Sequence, residues 1–173
     1  MKQRVLIFEG PDRSGKTTVA KLVAEKLEIP YFKYAADKKA LSGSDMTSLM
    51  LRIADPYLVD FLKQTGHSAI IDRQFPSEWA YAQALGRDTD FEGIRQSDEL
   101  FSQIPVTIVL LKRKSYEGVT DDDPRLNSER LELIKQKYEE FVKWSKCKVL
   151  SFEFDSWDPE KMTKEIIERI NRQ

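Results

Sequence analysis

One cysteine and one histidine in 173 residues remove whole classes of chemistry from consideration. Cys147 has no second cysteine for an internal disulfide, and no paired Cys/His spacing surrounds it, so it is assigned a packing role. A lone thiol also suits a reducing cytoplasm. His67 sits in a turn-like Thr65-Gly66-His67-Ser68 stretch without a histidine partner, and is read as a surface residue. No apolar run approaches the roughly 20 residues that cross a bilayer, and the start of the chain carries no signal-peptide pattern, so no membrane partner is expected. Charge of one sign is missing too. With 28 Lys and Arg against 29 Asp and Glu, the net charge of −1 gives no global field for nucleic acid, which leaves only local basic grooves. Repeats, low-complexity tracts and linkers are absent. The expectation is one domain, 1–173.

Glycine is scarce as well, seven in all, yet two of the seven fall in one octet: Gly10-Pro11-Asp12-Arg13-Ser14-Gly15-Lys16-Thr17. The octet fits the G-x-x-x-x-G-K-[ST] phosphate loop. It follows an apolar run, Val5-Leu6-Ile7-Phe8, and precedes a helical pattern of Val19, Leu22, Val23 and Leu27. Strand, glycine loop and helix together are the context that makes such a motif functional. Its backbone N–H groups and the positive end of the helix suit the phosphates of a nucleoside triphosphate. Lys16 is placed to reach the β- and γ-phosphates, and the Thr17 hydroxyl to ligate Mg²⁺.

Strand and helix patterns alternate along the rest of the chain. Strands are predicted at 4–9, 30–34, 68–72, 106–111 and 149–154, with helices to about 28, through about 65, at 77–86, 91–103 and 126–144, and from Pro159 onward. This pattern predicts an α/β fold: a five-stranded parallel sheet with helices on both faces. Ligands in such folds gather beyond the carboxyl ends of the strands. That rule brings the phosphate loop, residues 34–39, Asp72-Arg73, the 112–125 stretch and Asp155-Ser156-Trp157 to one cleft. Asp72 closes an apolar run as a metal-holding acid does, and Arg73 would aim a permanently charged donor fork at a phosphate.

Three stretches carry a resemblance to the nucleoside monophosphate kinases, and within them to the thymidylate kinases. These are Phe8-Glu9-Gly10-Pro11-Asp12-Arg13-Ser14-Gly15-Lys16-Thr17-Thr18, then Asp72-Arg73 with Ser77, Ala80 and Tyr81, and Glu129-Arg130-Leu131-Glu132 with Tyr138. The resemblance implies a P-loop kinase three-layer fold with a short lid, and ATP and Mg²⁺, with Pro11, Asp12, Arg13, Ser14, Gly15, Lys16, Thr17 and Thr18 around the donor phosphates. It gives the metal to Thr17 and Asp72, and neutralisation of the transferring group to Arg13. Asp12 would touch the acceptor sugar, Arg73 would orient the acceptor phosphate, and Tyr81 would lie against the acceptor. Phe75 and Trp79 are candidate pocket walls, and 155–157 would border the adenine. A lid over about 113–125 would bring an arginine over the phosphates, with Arg125, beside Pro124, the preferred one and Arg113 another. Homodimers are common in the family, although no single apolar stripe stands out here.

The departures all lie on the acceptor side. Gln74 and Ala82 stand where the family has tyrosine and a polar residue, and 34–39 lacks the usual proline and arginine, leaving Lys38 or Lys39 as substitutes. The leading expectation is phosphoryl transfer to a small-molecule acceptor, a pyrimidine deoxynucleotide such as dTMP or dUMP. The alternatives are a hydroxyl on a nucleoside or within DNA, with Glu9, Asp12 or Asp72 as base, and a nucleotide-dependent ATPase or switch.

Overall fold

The computed structural model describes residues 3–33, 44–119 and 123–172. Segments 34–43 and 120–122, which hold Lys38, Lys39, Asp121 and Asp122, lie outside the described residues.

Five strands form one parallel sheet: β1 (Val5–Glu9), β2 (Tyr31–Lys33), β3 (Ala69–Asp72), β4 (Val106–Arg113) and β5 (Lys148–Phe154). Their order is β2-β3-β1-β4-β5, so β1 is central and hydrogen-bonds to β3 on one side and β4 on the other. Every residue of β1 is buried, as a central parallel strand covered on both faces requires. Alternation then sorts its side chains. Val5 and Ile7 join a core with Ile71, Ile108, Phe75, Phe101 and Phe141, while Leu6 and Phe8 join another with Ile70, Val109, Val23 and Ile166. The second core is covered by α1 (Lys16–Leu27) and α7 (Pro159–Asn171). The first is covered by α3 (Asp55–Thr65), α4 (Phe75–Leu85), α5 (Phe91–Phe101) and α6 (Ser128–Trp144).

Two boundaries differ from the sequence expectation. Strand β4 runs on to Arg113, because Lys112 and Arg113 pair with Glu153 and Phe154 of β5. Lys112 is therefore part of the sheet, buried and ion-paired with Glu139 at 2.7 Å. Helix α4 starts at Phe75 rather than 77, since Pro76 fits a first turn and the Gln74 side chain accepts from Phe75 N–H at its start.

The helical region before β3 has an internal irregularity. Between α2 (Ser44–Leu49) and α3, residues Met50–Ala54 form a π-helical turn, in which Asp55 N–H reaches back to Met50 O. Pro56 explains it: proline offers no N–H, and its ring would crowd the carbonyl four residues earlier unless the turn widens.

Candidate active site

The phosphate loop lies at the end of β1 and opens α1. Gly10 and Gly15 adopt φ of +142° and +80°, backbone that side chains resist. A Cβ on Gly10 would fall 2.0 Å from Leu111 O, and one on Gly15 would enter the Trp157 ring at 1.6 Å. Both glycines are thus required by close neighbours as well as by backbone shape. Arg13 also has a positive φ, 62°, and its side chain is exposed at the loop tip. The Arg113 guanidinium donates to Arg13 O at 3.4 Å. Thr18 is exposed on the first turn of α1, and Pro11 is buried beneath the loop.

Two cations, the buried Lys16 and the largely buried Arg73, meet on one carboxylate oxygen. Lys16 Nζ lies 3.4 Å from Asp12 Oδ1, and Arg73 Nη2 donates to the same oxygen. Burial and the neighbouring Arg73 charge lower the Lys16 pKa to about 8, against the pull of Asp12. Burial would raise the Asp12 pKa, but Arg73 and Lys16 outweigh it and hold the carboxyl below its ordinary value. Arg73 stays charged: the Tyr81, Tyr138, Asp12 and Glu9 side chains overcome the cost of burial and raise its pKa.

Arg73 is fixed from several sides. Its backbone takes φ 71° at the strand-to-helix corner while its N–H donates to Phe8 O at 3.0 Å. Nη1 donates to Ser77 Oγ at 3.0 Å, Nη2 reaches Tyr81 Oη at 3.2 Å, and the guanidinium lies over the Tyr81 ring at 5.0 Å. Tyr81 Oη also accepts from Asp12 N–H at 2.9 Å, tying α4 to the phosphate loop. Ser77 and Tyr81 share a face of α4 because they are four residues apart.

Trp79 lies about 200° around the same helix from that face. It packs edge-on against Phe91 and Trp144, with centroids at 5.5 and 4.9 Å, and Phe75 sits in the core against Phe101 and Phe141. The structure therefore brings Lys16, Asp12, Arg73, Ser77 and Tyr81 together and places Trp79 and Phe75 among core aromatics.

Beneath the cluster, Glu9 is fully buried. It accepts from Gln74 N–H (2.7 Å), Ser77 Oγ (2.6 Å) and Tyr138 Oη (2.8 Å). Burial raises its pKa, offset in part by Arg73 and these donors. Gln74 is buried and fully engaged as well, with Nε2 on Asp55 Oδ1 at 2.9 Å, while Ser97 donates to Asp55 Oδ2 at 2.7 Å. Gln74 thus serves the scaffold, and Ala82 is buried. Asp55, invisible as a motif, is the fully buried anchor of this network.

Asp72 is also fully buried. Its Oδ2 accepts from Thr17 Oγ1 at 2.6 Å and from Tyr31 Oη at 2.9 Å, whereas Oδ1 is buried with no hydrogen-bond partner among the described residues. A bare carboxylate oxygen in a buried place is costly, on the order of 1–3 kcal/mol or more. An oxygen donor set of Thr17 and Asp72 fits Mg²⁺, a hard cation. Tyr31 was not marked by any sequence motif.

Among the lid candidates, Arg125 is exposed and folded back on Asp123, with Nη2 2.7 Å from Oδ2. It is not brought to the phosphate loop. Arg13, Ser14, Arg113, Asp155 and Trp157 line a recess beside the loop, in line with the strand-end rule. Cys147 is buried with Sγ donating to Asp98 O at 3.3 Å, and His67 stacks on Phe61 at the surface.

No family model matches the chain. A probable thymidylate kinase of Methanococcus vannielii is 28% identical, with 87% of this chain and 82% of that protein covered. Among solved structures, the YorR protein of Bacillus subtilis, in complex with phosphorylated GDP, superposes with a TM-score of 0.72 at 20% identity. The match covers 96% of this chain and 95% of that one. Thymidylate kinase of Candida albicans gives 0.66 at 21% identity, over 99% and 92%. At such identities the two structures establish the fold.

Proposed function

We propose that this chain, a divergent thymidylate kinase-like nucleotide kinase, moves the γ-phosphoryl of ATP onto the phosphate of a pyrimidine deoxynucleoside monophosphate, with Mg²⁺ as cofactor. One observation carries the reading: Lys16 and Arg73 converge on a single oxygen of Asp12. Lys16 belongs to the donor loop and Arg73 to the next strand end, so an anion held between them sits where donor and acceptor phosphates must meet.

Lys16 and the loop amides bind the donor phosphates, while Arg73, propped by Ser77 and Tyr81, orients the acceptor phosphate. Asp12 is the anion already present, and it must share its cations with the incoming phosphates. Thr17 Oγ1 and Asp72 would hold Mg²⁺, which would supply charge neutralisation for the transferring phosphoryl group. Catalysis then rests on positioning and charge, without a covalent intermediate. Arg13 and Arg113 at the loop tip, with Arg125 from a lid over about 113–125, add cations once nucleotide is bound. The whole of 1–173 acts as one kinase domain.

Among the described residues, the carboxylates around the cluster favour a phosphate acceptor over a hydroxyl. A hydroxyl acceptor needs a general base. Glu9 already accepts from three donors, two cations hold the Asp12 carboxyl below its ordinary pKa, and Asp72 is assigned to the metal, so none of the three is suited to take a proton from a hydroxyl. A phosphate oxygen needs none. The test is ADP release with ATP and Mg²⁺ against a panel of deoxynucleoside monophosphates, nucleosides and a DNA duplex containing modified pyrimidines. Turnover with dTMP or dUMP alone is expected. Turnover with a nucleoside or DNA alone would overturn the acceptor role of Arg73, and phosphate release without any acceptor would point to an ATPase.

The enzyme is further proposed to act as a homodimer. Leu49, Ile53, Tyr57 and Phe61 are 47%, 50%, 75% and 54% exposed and follow one another at four-residue spacing. They form an apolar stripe along α2, the π-turn and α3, which the sequence reading passed over because the spacing is interleaved with buried Leu51, Val59 and Leu62. Tyr57→Asp is expected to convert a dimer to a monomer in sedimentation; a wild-type monomer would refute the proposal. The buried thiol of Cys147 accords with a cytoplasmic location.

A further inference from the structure

We infer that Tyr31 is the positioning residue for the metal-holding carboxylate, an inference that rests on the Mg²⁺ site proposed above. Strand β2 lies beside β3, with Tyr31 opposite Ile70 and Lys33 opposite Asp72. This register carries the Tyr31 hydroxyl along the strand to Asp72, where it donates to Oδ2 at 2.9 Å. Thr17 Oγ1 donates to that same oxygen at 2.6 Å. Oδ2 therefore holds two hydroxyl donors, and Oδ1 none among the described residues, although both oxygens belong to a fully buried residue.

The asymmetry has a structural consequence. A carboxylate is two-fold symmetric about its Cβ–Cγ bond, so a single donor could be satisfied by either oxygen. Two donors arriving from different elements, α1 and β2, fix the plane of the group. They also keep one oxygen position without a donor among the described residues, whichever oxygen occupies it. Thr17 can keep its proton on Oδ2 while its lone pair faces a cation. Tyr31 makes that arrangement independent of Thr17 alone. Partners that orient a metal ligand from behind typically change metal affinity by about 10–100-fold when removed.

Tyr31 touches neither nucleotide phosphate loop glycine nor Arg73 in any hydrogen bond of the described residues, so its effect should appear on the metal and not on the acceptor. Lys21 Nζ lies 5.7 Å from the centre of the Tyr31 ring, a contact that a phenylalanine ring would keep. Tyr31→Phe thus deletes one hydroxyl and little else.

The experiment is binding of β,γ-imido-ATP, measured by calorimetry across a Mg²⁺ titration, with Mn²⁺ occupancy read by electron paramagnetic resonance. In Tyr31→Phe the Mg²⁺ concentration for half-maximal enhancement of binding should rise about 10-fold or more. Affinity in EDTA and the acceptor KM should stay within about 2-fold, and Lys21→Met should leave the metal titration in place. A Tyr31→Phe titration that overlays the wild type would overturn the inference, whatever its melting temperature. If Tyr31→Phe does not fold, Tyr31→Met and Tyr31→Leu, which also lack the hydroxyl, take its place, and a folded one with the wild-type metal response would overturn the inference. Wild-type binding that ignores Mg²⁺ altogether would instead overturn the metal site on which the inference rests.

Discussion

The cations around the cleft fall into two populations. Lys16 and Arg73 are held before any nucleotide arrives, by Asp12, Ser77, Tyr81 and the strand ends beneath them. Arg125 is exposed and satisfied by Asp123 two residues away, and the Arg113 guanidinium makes a long contact with the carbonyl of Arg13 among the described residues. Burial makes the difference. A buried cation must be matched by partners or pay a large desolvation cost, so its position is over-determined. An exposed ion pair gains roughly 0–1 kcal/mol and is readily exchanged for a phosphate. In the proposed mechanism the first population would define the geometry of transfer, and the second would close over it.

The sharpest way to break this comparison is Lys16→Ala. Turnover should fall by about 10³-fold or more, as expected for loss of a cation at the transferring group, while far-ultraviolet circular dichroism stays native. Full activity in the folded variant would contradict the mechanism. Arg73→Ala comes next. Its kcat/KM for the acceptor should drop about 10²-fold or more, since a charged donor is lost from a buried site and Asp12 is left with one cation fewer. ATP affinity by titration calorimetry should move far less, and the reverse ranking would count against the assignment. Arg125→Ala should have the smallest effect, about 10-fold or less on kcat and little on melting temperature, because its resting ion pair is exposed. A loss as large as that of Lys16→Ala would erase the distinction between the two populations.

The acceptor side shows why some residues were legible and others were not. Gln74 and Ala82 looked like specificity changes because they interrupt a pattern. In the folded chain both are buried: Gln74 caps α4 and secures Asp55, so the departure from tyrosine alters the scaffold behind the site. Trp79 shares its helix with Ser77 and Tyr81, but two residues' rotation turns it to the aromatic core. Glu9 was read as a base candidate, and its three donors make it a support for Arg73 through Ser77.

The sequence by itself determined the phosphate loop, the strand-and-helix alternation and hence the parallel sheet, and the presence of Asp72-Arg73 at a strand end. Each depends on neighbours along the chain: glycines at fixed spacing, an apolar run, a periodic helix face. Tertiary structure alone decided that Asp12 joins Lys16 to Arg73, that Tyr31 reaches Asp72 across 41 positions, and that Tyr138 closes over Glu9 across 129. Those contacts arise because β1 lies between β3 and β4 and β2 lies beyond β3, an order set by burying both sheet faces rather than by any local pattern.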